Sequence, residues 1–215
     1  MMLNRVLLSV FVSLLATLSM AQEPGNFSAL NQTDQVKKRI TARAAQTQSL
    51  SSDFIQEKHL TMMEEVLVSK GRFLFKKENN IRWEYYSPIN YTILINNQKF
   101  VIDNDGKISF FDTETNKLFK EINNMILMAI QGNFVDDPNF NAIFYENKNQ
   151  YLAILKPQDE LLKNIMETIQ IFFSKEDMSV TKINFIEPEE DFTLIKFTNR
   201  KQNMTIADEQ FEIKQ

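Results

Sequence analysis

From Ser52 onward, apolar and polar side chains alternate with a period of two. The segments "DFIQEKHL", "VLVSKGRFLFKK", "IRWEYYS", "YTILIN", "KFVIDND" and "KISFFDT" each have the length of a strand. Between them stand turn-forming runs, "KKENN", "SPIN", "INNQ" and "DNDG", with Asp105-Gly106 a two-residue hairpin signal. Short strands joined by tight turns predict an antiparallel meander. "AIFYENKNQYLAIL", "ETIQIFFSK", "SVTKINFIE" and "DFTLIKFTN" continue the pattern, the last two joined around Pro188. About ten strands are predicted in all, enough for a barrel or a strongly curved sheet.

Three stretches break the alternation. From Thr33 to Gln48 the apolar residues Val36, Ile40 and Ala44 recur every fourth position among lysines and arginines, which predicts a helix with a narrow buried stripe, lying on a surface. "PQDELLKNIME" opens as a helical turn near Asp159 before becoming a strand. "NNMILMAIQGN" predicts a short helix, capped by Asn123 or Asn124 and stopped at Gly132. Met125 to Ile130 leave this last helix no polar face, so it must be covered on several sides or cover something itself.

The chain ends weigh less. Residues 1–21 read as a cleaved export signal: Arg5 is followed by the apolar run Val6–Leu18, and Ser19 and Ala21 stand at the small-residue positions of a cleavage site. Residues 22–31, with Pro24 and Gly25, read as a flexible leader. A chain of 215 residues then leaves one domain over 32–215. The tail after Asn203 carries weak structural signals.

The strands place Phe73 and Phe75 on one face of their strand, Ile81, Trp83 and Tyr85 on one face of the next, and Ile93 and Ile95 on one face of the third. In register, they form a continuous apolar wall. Taken alone, such a wall reads first as an ordinary core. The all-apolar helix changes that, because a curved sheet with a greasy concave face and a methionine-bearing segment able to cover it are complementary. The wall then becomes a cavity lining, and Met125, Ile126, Met128 and Ile130 its lid.

Composition excludes much else. The formal net charge of −4, one unit more negative once Arg5 leaves with the signal, argues against nucleic acid as a partner. The absence of cysteine removes disulfides, a thiol nucleophile, a cysteine metal site and a lipidated N-terminal cysteine. The only histidine, His59, lies on the opposite side of its strand from Phe54 with no catalytic partner in view, and reads as a solvated strand residue. No G-x-S-x-G occurs, and Gly25, Gly71, Gly106 and Gly132 are too widely spaced for a phosphate loop. The acids of "EPEED" and Glu64-Glu65 flank turns, and "DNDG" lacks the downstream ligands of a calcium loop. No cofactor or metal, and no enzymatic activity, is expected. A periplasmic hydrolase, dependent on His59, is the reading of another class.

The ordered series "LSSDFIQEK", "SKGRFLFKKENNIRWEYYSPINYTILINN" and a short apolar helix resembles the periplasmic outer-membrane lipoprotein carrier proteins, the LolA-like family. The likeness is best over Leu50 to Asp112 and looser to Asn199. Its most specific part is "IRWEYYSP", an apolar residue, any residue, Trp83, then proline five positions on. The resemblance implies a mainly β fold with short helices, an incomplete antiparallel β-barrel whose mouth helices cover a hydrophobic cavity. It also implies a monomeric periplasmic carrier that takes lipoproteins from an inner-membrane ABC transporter, shields their acyl chains, and passes them to the outer membrane or an acceptor there. By position, Ile81, Trp83 and Ile93 match cavity-lining sites of the family and Met125 to Ile130 its lid. Where the family carries an Arg-Pro pair whose arginine holds the lid closed, this chain has Lys77-Glu78. Lys77 is thus the candidate gate residue, with the charge of arginine but not its fork. A related half-barrel that binds a lipid or senses stress without handing cargo on is the alternative.

Overall fold

The computed structural model describes residues 25–96, 99–112, 127–130 and 132–212. The export signal read over residues 1–21, and the lid positions Met125 and Ile126, lie outside the described residues. Within them the alternating segments form one sheet of twelve strands: β1 (Ser28–Ala29), β2 (Ser49–His59), β3 (Leu67–Lys76), β4 (Asn80–Ser87), β5 (Tyr91–Asn96), β6 (Lys99–Asn104), β7 (Lys107–Asp112), β8 (Phe140–Glu146), β9 (Gln150–Pro157), β10 (Thr168–Ser174), β11 (Val180–Ile186) and β12 (Phe192–Gln202). The spatial order is β1-β8-β9-β10-β11-β12-β2-β3-β4-β5-β6-β7, antiparallel throughout. Two meanders, β2 to β7 and β8 to β12, are thus zipped together where the last strand lies beside β2. Among the described residues β1 and β7 are the edges of the sheet, which does not close, so the barrel is open, as predicted.

Local chemistry accounts for the turns. Asp105 and Gly106 adopt φ of 51° and 86°, the left-handed pair that a two-residue hairpin requires between β6 and β7. Gly71, in the middle of β3, has a different role. A Cβ there would stand 2.1 Å from the Glu84 carbonyl oxygen and 2.3 Å from Phe54 Cζ, so glycine is what lets the Phe54 ring lie across the sheet.

Helix α1 (Thr33–Gln46) forms where the four-residue spacing predicted it and buries Val36 and Ile40. These join Phe134, Leu155, Ile171 and Phe173 in a core over the β8–β11 half of the sheet. The turn expected near Asp159 is a one-turn helix, Glu160–Lys163, leading into β10. Residues 127–130 are helical and end at Gly132, with φ of 65°. There a Cβ would come within 2.9 Å of Ile40 Cγ2, so Gly132 serves both the left-handed stop and the close approach to α1.

Two expectations are corrected. Part of the presumed flexible leader is fastened down: Ser28–Ala29 pair with β8, the Leu30 amide donates to the Phe144 carbonyl at 2.9 Å, and Phe27 packs edge-on against Phe172. An apolar anchor on each side of a two-residue strand is too short to show as alternation. The weakly patterned tail also packs, as Met204, Ile206 and Phe211 cover Leu74, which points away from the concave face. Its apolar residues are spaced for an irregular strap that ends in a short 3-10 helix, Asp208–Phe211.

Candidate functional site: an apolar cavity in the concave face

Register turns the predicted wall into three cross-strand rows. The first runs Leu50, Phe75, Ile81, Ile95, Phe100 and Phe111 across β2 to β7. The second runs Ser52, Phe73, Trp83, Ile93, Ile102 and Ser109. The third runs Phe54, Gly71, Tyr85 and Tyr91. Rings interlock within and between the rows: Phe54 meets Trp83 of the neighbouring row at 5.1 Å and Tyr85 of its own at 5.0 Å, and Phe73 meets Trp83 at 5.1 Å between centroids.

A cavity of about 340 Å³ lies between this wall and the opposite half of the sheet. Phe73, Trp83, Tyr85 and Ile93 line it from the wall, Ile195 and Phe197 from β12, Phe173 and Ile183 from β10 and β11, and Ile40 and Ala44 from α1. Ala129 and Ile130 of the helical turn, with Gly132 beyond it, line it too. The structure divides the predicted set. Of the first row Leu50 lines the cavity, while Phe75, Ile81 and Ile95, almost fully buried, are not among its lining. Met128 turns into the α1 side of the core, while Leu127 and Ile130 pack against the aromatic wall. Residues 127–130 are thus packed on two sides.

Polar groups sit at the two ends. At the Tyr85 end, the Tyr85 hydroxyl donates to Gln56 Oε1 at 2.9 Å. Burial, then the neighbouring Tyr91, push this phenol well above the usual range, and the nearby Trp83 N–H offsets them only in part. That indole nitrogen is buried and makes no properly aligned hydrogen bond among the described residues. Glu187 at the same end is paired with Lys58 at 2.5 Å. At the α1 end stand Arg43, Arg200, Thr47, Gln202 and Ser179. Arg200 reaches the concave face through a bulge: Thr193, Ile195 and Phe197 point inward in ordinary alternation, then the β2–β12 register shifts between Thr198 and Lys201, and Arg200 and Gln202 become the inward pair. Asn199 accommodates the shift with a φ of 51°. Beside the arginines lies Asp177. Burial would raise its carboxyl, but the Ser179 hydroxyl and amide, then Arg200 and Arg43, outweigh that and hold it below the usual carboxylate value.

Lys77, at the exposed β3–β4 turn, donates from Nζ to the Ala45 carbonyl at 3.2 Å, placing its charge at the C-terminal end of α1. Its described contact is thus with α1, not with residues 127–130. His59 stacks on Phe192 at 4.1 Å, far along β2 from the α1 end. No group of three or more His, Cys, Asp or Glu that could hold a metal occurs among the described residues. No described helix is long and apolar enough to cross a membrane.

The family model for the outer membrane lipoprotein carrier protein LolA matches residues 45–214, most of the chain. The chain belongs to the LolA family. LolA-family membership accords with the open twelve-stranded antiparallel sheet. Among solved structures, an uncharacterized conserved protein from Thermus thermophilus shares the fold. It has 8% identity and a TM-score of 0.51, with 84% of this chain and 93% of that one covered. A LolA superfamily protein from Nitrosomonas europaea aligns over 82% of this chain and 97% of its own, with 8% identity and a TM-score of 0.46. A putative outer membrane lipoprotein-sorting protein domain from Vibrio parahaemolyticus aligns over 82% and 94%, with 6% identity and a TM-score of 0.44. No curated protein matches the chain.

The lining from β10 to β12 and from α1 was not singled out from sequence. Its signal was present in part, as the alternation Thr193, Ile195, Phe197 and the stripe Ile40, Ala44. Arg200 carried no such signal, because its inward direction exists only through the bulge.

Proposed function

We propose that this protein is a periplasmic carrier that holds the acyl chains of lipoproteins in its concave cavity and delivers them to the outer membrane. The observation that carries the reading is the cavity itself: an apolar space lined by Phe73, Trp83, Tyr85, Ile93, Ala129 and Ile130 in a LolA-family chain. An ordinary core would have filled this space at crystal-like density.

The energetic need is large. Each buried methylene contributes roughly 0.8 kcal/mol, so an acyl chain of about fifteen is worth on the order of 10 kcal/mol, and release into water is negligible. A carrier must offer apolar surface without a fit so close that delivery fails. At about 340 Å³ the cavity lies near the lower end of the roughly 300–1,000 Å³ usual for ligand sites. A cargo with several chains therefore requires it to widen, and residues 127–130, seated between two cores, are the element that moves. Under this reading the donor is an inner-membrane lipoprotein-releasing ABC transporter, the acceptor lies in the outer membrane, and no bond of the cargo is made or broken.

The test is a release assay. Purified protein is added to spheroplasts of the source bacterium, and lipidated protein is sought in the supernatant after size exclusion. Co-elution of lipoprotein with this chain is the expected result. No release in the presence of an active donor transporter overturns the carrier reading, and a ligand retained stably without handover identifies a lipid-binding or sensing half-barrel.

A further inference from the structure

The α1 end of the cavity carries a feature that shielding of hydrocarbon does not require. Arg43 and Arg200 both line it, from different elements, and the nearest counter-charge is the single carboxylate of Asp177. Arg43 approaches Asp177 only at 3.9 Å, with its side chain 32% exposed, and has no closer partner among the described residues. Among the described residues Arg200 has one hydrogen bond, from Nη1 to the Val180 carbonyl at 3.0 Å. Two guanidiniums offer ten N–H donors, and these contacts use few of them. Asp177 is itself engaged with the Ser179 hydroxyl at 2.7 Å and amide at 3.1 Å, so it cannot neutralise both arginines. One positive charge is left over at the end of an apolar cavity. The β12 bulge makes this placement a property of the backbone, since without it the alternation would turn Arg200 outward and Asn199 inward.

We propose that Arg43 and Arg200 form a seat for the anionic end of an amphiphile, a carboxylate or phosphate group, whose hydrocarbon chain runs from there along Phe197, Trp83 and Ile93. Guanidiniums suit both groups, because their fork matches two oxygens at once. The inference rests on the reading that the cavity takes acyl chains, and extends it: the ligands include single-chain anionic lipids as well as lipoprotein acyl groups.

The sole tryptophan lies in the cavity wall, so intrinsic fluorescence reports occupancy directly. Three probes with the same sixteen-carbon chain are titrated below their micellar concentrations: hexadecanol, hexadecanoate and hexadecyl phosphate. The wild-type protein is expected to bind at least one anionic probe about tenfold or more tighter than hexadecanol, and the two anions against each other tell a carboxylate seat from a phosphate seat. In Arg43→Gln/Arg200→Gln the preference for the anionic probe over hexadecanol falls to near unity. Equal binding of all three by the wild type overturns the inference without touching the variants, so a misfolded variant cannot rescue it. An anion preference that survives in a folded double variant also overturns it. Failure of every probe to bind, hexadecanol included, overturns the acyl cavity and the anion seat together.

Discussion

Two neighbouring rows of one sheet have nearly the same side chains and different fates. Phe75, Ile81, Ile95 and Phe100 stand on the same concave face as Phe73, Trp83 and Ile93, two residues away along each strand. The first row meets the cavity only at Leu50, and beyond it is packed through to Phe111, where the Phe100 and Phe111 rings meet edge-on. The second row ends in Ser52 and Ser109 and opens onto the cavity through Phe73, Trp83 and Ile93. Hydrophobicity puts both rows on the inside. Whether a row becomes packed core or binding surface depends on what stands opposite it, which the alternation along a strand does not encode.

Substitutions can break this comparison. Phe75→Ala is expected to cost about 3–5 kcal/mol in denaturant unfolding, the range for emptying a filled aromatic site. Ile93→Ala should cost clearly less, since its neighbours already face open space, and equal losses for the two would erase the distinction between the rows. Gly71→Ala forces a methyl into the Phe54 ring and the Glu84 carbonyl, so a loss near the upper end of roughly 1–3 kcal/mol is expected by the same measurement. It should also disturb Trp83 fluorescence, because Phe54 packs on that ring.

Ile93→Asp sharpens the comparison from the side of function. A folded protein whose affinity for hexadecanol drops about thirtyfold, near 2 kcal/mol, is the expected outcome. Unchanged uptake would remove Ile93 from the lining. Gly132→Ala tests the cover: the left-handed backbone alone costs an alanine about 1–2 kcal/mol, and the contact with Ile40 adds to it. A neutral result in thermal unfolding would mean that this turn is not held against α1. The smallest effect is expected for Lys77→Met, at most about 1 kcal/mol, because the lysine is exposed and offers one hydrogen bond to the end of α1. A changed rate of probe uptake in this variant, with stability unaltered, would support Lys77 as a gate.

Much of this molecule was legible in its sequence for a simple reason: a strand with one buried face must alternate, and a hairpin must use residues that tolerate its backbone. Hence the meanders, the Asp105-Gly106 turn, α1 and the stop at Gly132 were all readable. So was the inward face of β3 to β5, and with it Phe73, Trp83, Tyr85 and Ile93. Long-range pairing was not, because nothing local in β12 states that it lies beside β2 or that β1 and β7 are left as edges. The division of the wall into core and cavity also waited for the tertiary structure, since it depends on the side chains that other elements bring across the space. The inward turn of Arg200 was hidden for a related reason: a single extra residue reverses the face of every position after it, and a bulge is a property of two strands paired, not of either one alone.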